Sequence, residues 1–244
     1  MSIRHKRVVT TLDTGQASDW NDDHEPNFTD EISHICLRPG PAVTTYWDVA
    51  QTAGGSNPQW MIVGAAGSKH AFVVLGTGAV TDQTSSMRHM LGGNVSNITS
   101  PADAPVLTLS VKIVAVHDAA GVANSVVEFG FQVATDAIFT QNLHHAIFRI
   151  YNGKVHAVTG DGAAETETEI ADYNEHGQYR IALTPVRCDF YVDDMVTPAA
   201  SHVASEGDKI PDAELTVKVS VRSKNNVDSV IGVDALGLTR LREK

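Results

Sequence analysis

The sequence predicts an all-β protein, an antiparallel β-sandwich behind an extended amino-terminal arm. Three observations carry that prediction. Apolar and polar residues alternate with period two in run after run, the mark of strands with one buried face. Asn152-Gly153 sits between two such runs, the strongest short-range hairpin signal. No stretch carries a convincing helical period, and roughly a dozen short strands with turn-rich connections argue for a sandwich.

Residues 1–30 are polar, rich in Asp, Asn and Thr, and read as the arm; residues 31–244 read as the sandwich. Strand signals follow at Glu31–Leu37, Trp60–Val63, His70–Leu75 and Pro105–Val116. In the last of these, Leu107, Leu109, Val111 and Ile113 face one way and Thr108, Ser110 and Lys112 the other. Val127, Phe129, Phe131 and Val133 repeat the pattern. A two-residue turn at Asn152-Gly153 fixes a register in which Tyr151 opposes Lys154, Ile150 opposes Val155, Arg149 opposes His156 and Phe148 opposes Ala157. Phe148, Ile150, Val155 and Ala157 then share the apolar face. Arg149, Tyr151, Lys154 and His156 share the other, which must meet solvent or a partner. A second pair joins Tyr179–Leu183 to Val186–Val192, with Cys188 on its apolar side. Leu215–Val221 and Val230–Leu238 complete the series.

Composition narrows the function. With 18 Lys and Arg against 29 Asp and Glu, the formal net charge is −11. Nucleic acid is therefore not expected as a partner, because phosphate contacts need clustered cations. There is no apolar run long enough for a membrane span. The basic start Arg4–Arg7 leads into no apolar segment, so no secretory signal is expected. Cys36 and Cys188 are too few for a disulfide framework and read as buried thiols of a chain folded in a reducing compartment. Residues 161–194 hold nine acids and two bases, read as a solvated sheet edge with its loops. A calcium site is the sharper alternative, without the EF-hand spacing to support it.

Two family resemblances enter here. The segments HAIFRIYNGKVHAVTGDG, GQYRIALTPVRCDFYVDD, ELTVKVSVRS and VIGVDALGLTRL resemble the concanavalin A-like (laminin G-like) jelly roll. Asp194 stands where that family's FYVDG-like strand usually has Gly. At the amino terminus, IRHKRVVTTLDTGQASDWNDDHEP is similar to the start of many structural proteins of tailed bacteriophages. That resemblance implies a virion component assembled in the host cytoplasm and displayed on the particle exterior, as capsid decoration, turret or fibre. It implies anchoring through Trp20, Asn21, Asp22 and His24, and as partners other capsid or tail proteins and further copies of the chain, a trimer by analogy. The alternatives are a tail-associated glycan-binding module that recognises host surface glycan, and a glycan depolymerase.

Candidate sites were weighed on residue chemistry. Glu165, Glu167 and Glu169 fall on one face of a strand, and some glycoside hydrolases of this fold carry three acids at that spacing. The intervening residues are Thr166 and Thr168 and no Trp lies near, so the stretch reads as a solvated edge strand and the protein is not expected to be an enzyme. His144 and His145 point to opposite faces of a strand, so no metal is expected there. Asp22, Asp23 and His24 read as a capped turn docking the arm. Neither a Gly-x-Ser-x-Gly elbow nor a phosphate loop occurs, and no cofactor is expected. Trp47 and Trp60 read as packing residues. Arg149, Tyr151, His156 and Tyr191 are the candidate glycan or partner face.

Overall fold

A computed structural model describes residues 29–34, 47–51, 56–62, 71–76, 84–89, 99–113, 125–135, 142–174, 176–223 and 230–241. The arm candidates Trp20, Asn21, Asp22 and His24 lie outside the described residues, as does Cys36. The strands are β1 (Thr29–His34), β2 (Trp47–Gln51), β3 (Ser56–Ile62), β4 (Ala71–Gly76), β5 (Thr84–His89), β6 (Val106–Ile113), β7 (Ser125–Gln132) and β8 (His144–Tyr151). They continue as β9 (Lys154–Asp161), β10 (Glu165–Asp172), β11 (His176–Thr184), β12 (Arg187–Val192), β13 (Ala200–Val203), β14 (Thr216–Ser223) and β15 (Val230–Leu241). Among the described residues the only helical pieces are single 3₁₀ turns at Pro101–Asp103 and Ala204–Glu206.

All pairings are antiparallel, and they build two sheets. One runs β13-β12-β11-β6-β15-β4-β3, with β1 also paired to β15. The other runs β10-β9-β8-β7-β14-β5-β2. The all-β sandwich of the sequence reading is the observed fold. Three strands had no signal of their own in that reading: β2, β5 and β13. They are short, and their place is set by pairing with neighbours.

The β8–β9 hairpin forms in the predicted register, pair for pair. Asn152 and Gly153 have φ of 51° and 74°, both positive as a type I′ turn demands. Phe148, Ile150, Val155 and Ala157 are buried to 1% exposure or less.

Those side chains meet the other sheet in an aromatic cluster. Phe129 of β7 packs edge-on to Tyr179 of β11, with centroids 4.8 Å apart. Phe148 stands 5.0 Å from Tyr179, inclined at 61°, and 5.3 Å from Phe190 of β12, nearly perpendicular at 83°. Rings from both sheets thus interlock at the middle of the sandwich, in the geometry aromatic quadrupoles favour. Cys188 lies buried beside them, and burial pushes its thiol pKa well up, so it is inert at neutral pH.

At the β10–β13 end one polar side chain joins the layers. His202 of β13 is 2% exposed. Its Nδ1 lies 2.7 Å from Thr159 Oγ1 on β9, and its Nε2 lies 3.1 Å from Thr168 Oγ1 on β10. Thr168 of the acidic strand, with Thr159 beside it, therefore holds an inter-sheet hydrogen bond rather than an apolar anchor. Burial lowers the pKa of this imidazole from 6.5, so the folded state holds it neutral.

Two outcomes test these points. Gly153→Val fits the space beyond the turn, where no atom lies within 4 Å, but forces a β-branched residue to positive φ. It should destabilise by ~1 kcal/mol or more, read from the urea midpoint. Because His202 is neutral when folded and protonates more readily when unfolded, its contribution is complete above about pH 6.5 and declines as the pH falls below that. Thermal melting from pH 8 to pH 5 should therefore drop more steeply for the wild type than for His202→Gln.

Candidate functional site

The outer face of the seven-stranded sheet carries the densest charge chemistry among the described residues. Strand alternation puts Glu128 of β7, Arg149 of β8, His156 of β9 and Glu165, Glu167 and Glu169 of β10 on this face. Register brings them together, since Glu128 opposes Arg149, Arg149 opposes His156, and His156 opposes Glu169.

Arg149 is the centre of the group. Its Nε donates to Glu128 Oε1 at 2.6 Å. Its Nη2 and Nη1 donate to the two oxygens of Glu165 at 2.9 and 3.1 Å, a bidentate pair. Nη1 also donates to Glu167 Oε2 at 3.1 Å. The side chains of Glu128 and Glu165 are only 3% and 7% exposed. Burial opposes the charge of Arg149, but the Glu165 and Glu128 carboxylates outweigh it and raise the guanidinium pKa. For Glu165 burial likewise opposes ionisation. The close His145 imidazole and the Arg149 hydrogen bonds win and hold its carboxyl at about 2.

His145 reaches Glu165 across an intervening strand. Its Nε2 lies 3.1 Å from Glu165 Oε1, off the line of a straight hydrogen bond, and its Nδ1 has no partner. Gly160 of β9 stands between them in register. A Cβ there would meet Leu143 O at 2.6 Å and the His145 ring at 2.8 Å. Glycine at 160 is what lets the imidazole lie over the sheet.

Glu167 forms the open side of the group. Tyr151 Oη donates to its Oε1 at 2.7 Å, and His156 Nδ1 lies 3.0 Å from the same oxygen. The Tyr151 and His156 rings stack, 4.2 Å between centroids and 11° from parallel. The hydrogen bond to Glu167, followed by burial, pushes the Tyr151 phenol up to about 12. Beyond Glu167 the face opens to solvent, where Lys154 bridges Asp172 at 2.6 Å and Glu169 at 3.3 Å.

The structure unites three of the four candidate face residues and separates the fourth. Arg149, Tyr151 and His156 share one cluster. Tyr191 lies on β12 of the opposite sheet, where Arg180 sits 5.5 Å over its ring. The expectation of a merely solvated acidic edge is corrected. β10 is the edge strand, yet Glu165 is buried and Glu167 tied down, because Arg149 and His145 arrive from strands that a local reading does not pair with it. Glu128 and His145 were missed as site members. The signal for β10 was present in Asp161-Gly162-Ala163-Ala164, a short Gly-containing connection between runs. Asp161 caps that turn by accepting from the Ala163 and Ala164 amides, each at 2.9 Å. Other acids of the 161–194 window are similarly committed, Asp193 to the Gln178 amide and Asp194 to those of Val196 and Thr197. Among the described residues no group of three or more His, Cys, Asp or Glu is placed to hold a metal ion. His144 instead lies 3.0 Å from Asp212.

No family model matches the chain, and no curated protein matches it significantly. Solved structures do. A β-glucanase of Bacillus licheniformis superposes with TM-score 0.53 at 11% identity, covering 91% of this chain and 100% of its own. The alginate lyase A1-II′ gives 0.53 at 11%, covering 82% and 96%. The exoplasmic/lumenal domain of VIP36, in a Ca²⁺/Man₃GlcNAc-bound form, gives 0.53 at 10%, covering 85% and 88%. The fold is a concanavalin A-like jelly roll. Among the proteins sharing this jelly roll are a glucanase and a lyase. The expectation that the protein is not an enzyme is overturned on that ground, since this architecture carries catalytic sites as well as lectin sites.

The cluster makes two predictions. Arg149→Leu leaves three carboxylates facing one another in a largely buried place and should cost ~3–5 kcal/mol in denaturant unfolding. Adding Glu128→Gln should recover part of that loss. Because the Glu165 pKa falls from 4.5 to about 2 on folding, its contribution is present above pH 4.5 and is lost as the pH drops toward 2. Acid unfolding of Glu165→Gln should lack that component.

Proposed function

We propose that the protein is a glycan-binding jelly roll that takes its ligand on the outer face of β8, β9 and β10. The observation that carries this reading is the Tyr151–His156 stack beside Glu167 and Arg149. A flat aromatic surface flanked by a few oriented polar groups suits a sugar ring, whose C–H faces are apolar and whose rim carries hydroxyls. The fold supports the reading, since its structural neighbours include glycan-active proteins and a lectin. On the amino-terminal resemblance alone, we place this activity on the exterior of a tailed-phage particle. There it would recognise host surface glycan, with the arm attaching the domain to neighbouring subunits.

Hydrolysis is a second reading with its own observation. Glu165 and Glu167 both accept from the same Arg149 nitrogen at 3.1 Å, which puts their carboxyls on the scale of the ~5–5.5 Å separation used in retaining hydrolysis. Glu165, held ionised, would be the nucleophile.

Calorimetric titration with oligosaccharides found by array screening separates these readings. Tyr151→Ala should weaken binding about tenfold, near 1.4 kcal/mol. A protein that binds no glycan sinks the proposal. Release of reducing ends by the wild type, abolished in Glu165→Gln, would move the assignment from lectin to hydrolase.

A further inference from the structure

The electrostatics of this face specify the charge class of its ligand. On β7–β10 the carboxylates are Glu128, Glu165, Glu167, Glu169 and Asp172, and the permanent cations are Arg149 and Lys154. Both cations are already committed to carboxylates and outnumbered by them. A guanidinium has five N–H donors, and Arg149 makes four hydrogen bonds to carboxylates already present. Lys154 is shared between Asp172 and Glu169. Further basic residues on this face, Arg88, Lys218 and Arg222, belong to β5 and β14. β14 is four strands from β10, about 19 Å at the usual ~4.8 Å spacing. Lys218 is also 2% exposed and donates to Thr135 O at 2.9 Å.

The surplus is therefore in acceptors. One buried polar group beside these carboxylates lacks a partner and points to a polar guest beyond them. His145, wholly buried beside Glu165, has a free Nδ1.

We infer that this face selects uncharged glycans and rejects uronic-acid chains. The inference rests on the glycan-binding reading and deepens it. Neutral sugars bring hydroxyl donors, which the carboxylate oxygens of Glu167 and Glu169 accept. A uronate brings a carboxylate that, among the described residues of β8–β10, must compete with the glutamates for Arg149 and Lys154 and meets an excess of like charge. The discrimination is electrostatic in part and weakens with salt.

The test uses the full chain at pH 7.5 and low ionic strength. A panel of neutral oligosaccharides (β-glucan, mannan and N-acetylglucosamine oligomers) is titrated beside alginate and polygalacturonate oligomers of equal length. The expected result is binding to a neutral member with uronates at least about tenfold weaker. Glu167→Ala releases one Arg149 N–H and removes one repelling charge, so it should narrow that gap. The exposed pair Glu169→Gln with Asp172→Asn should narrow it also, with no risk to a buried contact. Uronate binding equal to or tighter than neutral binding overturns the inference while leaving the glycan reading in place. So does a gap unchanged in both variants. Binding to neither class overturns the glycan reading and the inference with it.

Discussion

Arg149 brings one positive charge among Glu128, Glu165 and Glu167, and the geometry of the face follows from that arrangement. The guanidinium joins β7, β8 and β10 through four hydrogen bonds to carboxylates. Removing it would leave like charges crowded in a place with little water to screen them. It also fixes what remains for a ligand. Glu165 is held ionised, Glu167 is turned toward Tyr151 and His156, and the aromatic stack lies where the buried group meets solvent. Gly160 is the silent partner, since any side chain there would displace His145 from Glu165.

The comparisons give the fold, and the reading of a ligand rests on the site. Structural neighbours at about one-tenth identity establish the jelly roll and nothing finer. The choice between holding a glycan and cutting it depends on this chain's own carboxylates. Glu165 and Glu167 are close together and both accept from Arg149, an arrangement suited to orienting hydroxyls and also similar to a hydrolytic pair.

Legibility in the sequence followed the range of the interaction. The β8–β9 register was readable because a two-residue turn pins it, and with it came the shared face of Arg149, Tyr151 and His156. Burial of Cys188 followed from alternation on β12. Tyr191 alternates equally well, but alternation says which side of a strand a residue takes and not which sheet the strand joins. Glu128 was unreadable as a partner of Arg149 because 20 residues of chain separate them and only the β7–β8 register joins them. The Thr residues between the glutamates looked like a sign of simple exposure. Thr168 bonds a buried histidine from the opposite layer and Thr166 accepts from the Lys209 amide, partners that no local pattern reveals.

The strand order has a consequence for synthesis on the ribosome. β14 lies between β7 and β5, and β15 lies between β6 and β4 while also pairing with β1. Both sheets are thus completed by strands from residues 216–241. Until those emerge, one layer exists as β10-β9-β8-β7 and a detached β5-β2, and the other as β13-β12-β11-β6 and a detached β4-β3. Each fragment ends in an unpaired edge that can recruit a neighbouring nascent chain. The central seams form last, from contacts distant in sequence, which slows the folding of this domain.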